Sequence, residues 1–152
     1  EATPHLPRQL YKLEQQAKDF ALSGVFLTHA HIGHYAGLMF FGHESMGASN
    51  VPVFAMPRMM DYLGTNGPWS QLVAYNNIAL RPLAHNRTEN LSGLGVTPFL
   101  VPHRDEFSET VGYSIQGLMA FFCWISSFIS MLGLPQPQTI DPKCKCDSNR
   151  LW

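Results

Sequence analysis

The 152 residues suffice for one domain with a real core, but not for two large ones. A formal net charge of −1, with ten Lys and Arg spread thinly, offers no phosphate-binding surface, so nucleic acid is not an expected partner. With 14% charged and 45% hydrophobic residues the chain is apolar for a soluble protein, and three cysteines cannot all pair within it, which argues against a disulfide framework.

The chain opens on Glu1 with no signal-peptide pattern, so the expected location is cytoplasmic unless a later segment anchors it, and a fragment or processed form is expected. Leu6, Leu10, Leu13, Ala17 and Phe20 recur at three- and four-residue spacing, which predicts an amphipathic helix over 6–21, with Pro7 in its first turn and Ser23-Gly24 closing it. Val25 to Thr28 then reads as a short buried strand.

That strand delivers Thr28-His29-Ala30-His31-Ile32-Gly33-His34, which holds three of the seven histidines. Residues i and i+2 of an extended segment share a side, so His29 and His31 point together, and His34 approaches from another angle across Gly33. Neutral imidazole is a common ligand of zinc and similar metals, and such sites need three or four converging groups. The cluster therefore reads as a metal site at the C-terminal end of a strand, where α/β proteins tend to place functional groups.

A helix is predicted from about Tyr35 to Met46, with His43 on its surface. A strand follows at 51–55, a helix from Pro57, a short helix at 69–75 and a strand at 78–83 ending near His85. Asn86-Arg87-Thr88 and Asn90-Leu91-Ser92 match the glycosylation pattern, which matters only outside the cytosol. Gly95 to Pro102 reads as a strand that delivers His103, followed by Arg104-Asp105-Glu106; residues 110–116 alternate as a half-buried strand. His103 is a candidate for a further metal-facing group. The order of elements is an α/β pattern with helices covering a sheet.

His29-Ala30-His31-Ile32-Gly33-His34 resembles the His-x-His-x-Asp-His signature of the metallo-β-lactamase superfamily, and His103 falls about where that family's next histidine ligand lies. The wording at 28–38, 50–57, 65–73 and 101–112 looks closest to the branch of pyrroloquinoline-quinone biosynthesis protein B-like (PqqB-like) metallohydrolases. The resemblance covers roughly residues 20–117. It implies part of an αββα sandwich, mainly its N-terminal half, with His29, His31 and His103 at a first zinc position and His34 at a second. It also implies hydrolysis of a small-molecule substrate by metal-activated water.

Two departures stand out. Gly33 occupies the place of the usual aspartate and has no side chain to ligate metal or take a proton. Asp105, close to His103 in sequence, is a candidate substitute carboxylate and, with His34, a candidate catalytic group; a surface Asp-Glu pair with Glu106 is the favoured alternative. From Gly117 the chain runs to Leu134 without a charge, long enough for the lower limit of a membrane-spanning helix, and then enters a polar tail at 135–152 that reads as disordered. Residues 117–134 admit three readings: a membrane anchor, an extra apolar helix buried in a truncated sandwich, or sequence foreign to the domain at 1–116. The abrupt change at Gly117 favours the last. Each leaves the family's second half absent and much of the first sheet's apolar face without cover. The leading expectation is an incomplete zinc hydrolase; the alternative is a non-catalytic, membrane-associated or interaction protein that keeps half of the fold.

Overall fold

The computed structural model describes residues 1–17, 21–117 and 121–124. Helix α1 (Leu6–Gln16) starts at Leu6 with proline in its first turn, and ends when Ala17 turns extended. It is shorter than the predicted 6–21. Strand β1 (Val25–Phe26) follows, and then the histidine stretch leads into α2 (Ile32–Tyr35) and a 3-10 helix (Ala36–Phe41). The single helix predicted over 35–46 is thus two short pieces that begin three residues earlier; His43 is exposed, as expected. Next come β2 (Val51–Ala55), α3 (Pro57–Thr65), α4 (Trp69–Ala74) and β3 (Ile78–Pro82).

These three strands form a parallel sheet in the order β1-β2-β3. Parallel neighbours require crossovers, and the helices between the strands supply them. Val53 and Ala55 alternate with Phe54 along β2, so each face of the sheet is apolar. On one face Val53 and Ile78 are buried with Leu38, Phe41, Met59 and Leu63 from the helical layer. On the other, Phe54 stacks on Phe26 at 4.4 Å between ring centres, and Tyr113 meets Phe26 edge-on at 5.5 Å.

Tyr113 belongs to a second, antiparallel sheet made of β4 (Glu89–Leu91), β5 (Leu94–Leu100), β6 (Val111–Gln116) and β7 (Phe121–Trp124), in that order. Its inner residues Val96, Val111 and Tyr113 close over Met56 and Leu83 to make a second buried cluster. The first sheet is therefore covered on both faces, which corrects the expectation of an uncovered apolar face. On the outer side of the second sheet Gly95 lies opposite Gln116, Thr97 opposite Ser114 and Phe99 opposite Gly112.

The mixed α/β architecture with a helix–sheet–sheet layering agrees with a partial αββα sandwich. Strand β7 is a departure: residues 121–124 pair with Tyr113–Gln116, where a helix was expected from Gly117. A short apolar run rich in aromatic residues satisfies a strand as well as a helix, and an open sheet edge beside it decides for the strand. The rest of 117–134 and the tail at 135–152 lie outside the described residues. Among the described residues no helix is long and apolar enough to cross a membrane.

Candidate metal centre

The histidine stretch is held where the two sheets meet. Leu27 N–H donates to the Phe54 carbonyl of β2 at 3.0 Å, and from the opposite sheet Val111 N–H donates to the Thr28 carbonyl at 3.1 Å. The Tyr113 hydroxyl donates to the Leu27 carbonyl at 2.5 Å. Farther along, Ala30 N–H donates to Ser108 Oγ at 2.8 Å, and the Ser108 hydroxyl donates in turn to the Glu109 carbonyl at 2.9 Å. His31 is extended before α2 begins, so the loop leaves β1 without bending back and aligns His29 and His31 on one object.

His29, His31 and His103 each offer a ring nitrogen, all within 4.8 Å of one another. The His29 ring centre lies 4.6 Å from that of His31 and 5.0 Å from that of His103, and the rings are nearly perpendicular. His103 arrives from the loop after β5, and its Nε2 is 3.2 Å from His31 Nδ1. A second group, overlapping the first, consists of Glu1, His29 and His34. The four predicted histidines thus stand together.

Asp105 is in neither group. Its exposed carboxylate lies 3.6 Å from the Arg58 guanidinium, which also donates to the Asp105 carbonyl at 2.7 Å. The carboxylate that does stand beside the histidines is Glu1, whose Oε1 accepts from the Thr28 hydroxyl at 2.7 Å and lies 2.8 Å from His34 Nδ1. Glu106 approaches the outer nitrogen of His31, at 3.5 Å.

The electrostatics favour neutral imidazole, the form that binds metal. Burial, followed by the neighbouring His34, His31 and His103, pushes His29 down to about 4. Burial and the nearby His31 and Arg104 lower His103 as well. For Glu1, burial opposes ionisation, but the hydrogen bonds from His34 and Thr28 outweigh it and hold the carboxyl below its ordinary range. Nε2 of His29 is buried and has no hydrogen-bond partner among the described residues. A buried polar atom left so is costly unless something else binds it. An orphaned imidazole nitrogen amid two further imidazoles suits a metal ion.

Beside His103 a cleft of about 430 Å³ opens, lined among others by Arg58, Leu100, Pro102, Asp105 and Thr110. Glu1 was invisible to sequence reasoning, since nothing in Glu1-Ala2-Thr3 marks it as chemical. It reaches the site because Ala2 N–H donates to the His34 carbonyl at 3.0 Å and Gly37 N–H donates to the Ala2 carbonyl at 2.8 Å.

A family model described as the beta-lactamase superfamily domain matches residues 2–126. The chain belongs to that superfamily. No curated protein sequence matches the chain. Among solved structures, superfamily members of similar fold include Zn(2+)-bound PqqB from Methylobacterium extorquens, with TM-score 0.59, 23% identity, and coverage of 77% of this chain and 44% of that one. The metallo-beta-lactamase fold protein YhfI from Bacillus subtilis gives TM-score 0.55 at 15% identity, covering 80% of this chain and 50% of that one. A diphosphatase from the PhnP family gives 0.51 at 19%, covering 76% and 42%. The chain spans half or less of the length of each of these structures, and at such identities the likeness is one of fold.

Proposed function

We propose that this chain carries the zinc-binding half of a metal-dependent hydrolase, with His29, His31 and His103 as the ligands and a small molecule as substrate. The observation that carries the reading is the convergence of three imidazoles around the partnerless, buried Nε2 of His29. Two nitrogens on one tetrahedral zinc, each bonded at about 2.0–2.1 Å, stand about 3.3 Å apart. The 3.2 Å between His103 Nε2 and His31 Nδ1 is close to that separation. Support also comes from superfamily membership and from the zinc in PqqB.

Zinc, when bound, would polarise the substrate and lower the pKa of a bound water towards neutrality. The chain's own residues do the rest. Three histidines leave a fourth position for water or substrate. Glu106 and Arg104 both stand 3.5 Å from the outer nitrogen of His31; a hydrogen bond from that nitrogen to Glu106 would leave Nδ1 as the ligating atom. The cleft beside His103 admits the substrate, with Arg58 on its wall. His34 stands next to His29, with ring centres 4.3 Å apart, where it orients the attacking water or helps hold a second ion.

Metal analysis of the purified chain after zinc loading and desalting tests this reading. One firmly held zinc per chain, lost in His31→Ala, is expected; no zinc in either protein would refute it.

A further inference from the structure

The superfamily's usual aspartate is glycine here, yet two of the proposed metal-facing rings still need something to fix which nitrogen carries hydrogen. An imidazole binds metal through the nitrogen that does not, and second-shell partners make that choice. One carboxylate near the site has the contacts to do so for both rings.

The Glu1 carboxylate has no hydrogen to give, so the Thr28 hydroxyl, 2.7 Å from Oε1, must donate to it. Thr28 has a single hydroxyl hydrogen. Its oxygen also lies 2.8 Å from His29 Nδ1, and with that hydrogen already committed it can only accept there. His29 therefore carries hydrogen on Nδ1 and presents Nε2 as its lone pair, the same atom found buried without a partner. His34 Nδ1 lies 2.8 Å from the same Oε1 and must likewise donate, which leaves its Nε2 as the lone-pair nitrogen. One oxygen atom thus decides the tautomer of two rings.

We propose that Glu1 is a positioning residue that locks His29, through Thr28, and His34, directly, in the tautomers whose Nε2 atoms face the metal. The role rests on the metal reading above. The segment is built for it. Glu1 is only 14% exposed in its side chain, a costly place for a carboxylate without charge-assisted partners. Its backbone neighbour Ala2 is fully buried and is hydrogen-bonded to His34 and Gly37.

The test is a long-range nitrogen–proton NMR spectrum of the histidine rings in the metal-free chain near pH 8, paired with zinc affinity measured by chelator competition. In the unmodified chain both His29 and His34 should show hydrogen on Nδ1. In Thr28→Val, which keeps the shape of the side chain, His29 alone should revert towards the Nε2–H form. In Glu1→Ala both rings should revert, with zinc affinity about 10–100-fold weaker. If Glu1→Ala does not fold, Thr28→Val still tests the longer arm. Nε2–H patterns in the unmodified chain, or patterns unchanged by both substitutions, would overturn the proposal. Locked tautomers in a chain that binds no zinc would sink the metal reading alone, whereas unlocked tautomers in a chain that binds zinc would sink the relay alone.

Discussion

Gly33 lies in the first turn of α2, exposed, and a Cβ built on it meets nothing within 4 Å. An aspartate there should fold without penalty, and its charge would favour the positive end of the turn. Gly33→Asp is therefore expected to melt within a few degrees of the parent, and to raise bound zinc from one towards two per chain in metal analysis. His29 sets the pH response of the metal-free protein. Its folded value of about 4 lies below the ordinary 6.5, so between those values the unfolded chain binds the extra proton. Stability is then full above pH 6.5 and falls as the pH drops towards 4. Glu1, also held low, adds to the loss at the acid end. Melting followed by circular dichroism should show a midpoint lower by roughly 5 °C or more at pH 4.5 than at pH 7.5. A flat profile over that range would mean that His29 is not buried as described. The clustering of the three histidines could be read from spacing alone, and with it their candidacy as ligands. Glu1 could not, because its role depends on a tertiary contact with residues 28 and 34 that leaves no local pattern.

The elements that carry these residues depend on a few close approaches. The segment at 1–3 passes so near the 3-10 helix that a Cβ on Gly37 would overlap the carbonyl oxygens of Ala2 and Thr3. Those are backbone atoms and cannot rotate aside. Gly37→Ala should lower stability by about 1–3 kcal/mol in urea unfolding and displace Glu1 from His34. Strands β2, β3, β5 and β6 were legible because their apolar residues alternate or run unbroken between turn signals. Helix α3 was legible from Pro57 at its start. Strand β4 escaped notice: Ser92 and Gly93, both at positive φ, make the tight turn between β4 and β5, a signal hidden inside an apparent glycosylation motif. The helix predicted over 35–46 is instead α2 and a 3-10 helix that ends at Phe41, where Gly42 turns extended.

At the scale of the molecule, two sheets sandwich one apolar seam, and the clustered histidines gather at one end of it. Layer order was legible from the family resemblance more than from composition. The burial of both faces of the first sheet was not, because it depends on the second sheet folding across Phe26 and Phe54. Continuation of that sheet into β7 was equally hidden, since periodicity does not separate a buried strand from an apolar helix. The central claim is that zinc sits on His29, His31 and His103. X-ray absorption at the zinc edge of the loaded chain tests it most directly. The expected spectrum shows three imidazole nitrogens at about 2.0–2.1 Å with one oxygen ligand, and loses imidazole scattering in His103→Ala. A first shell made only of oxygen atoms, or one unchanged by that substitution, would contradict it.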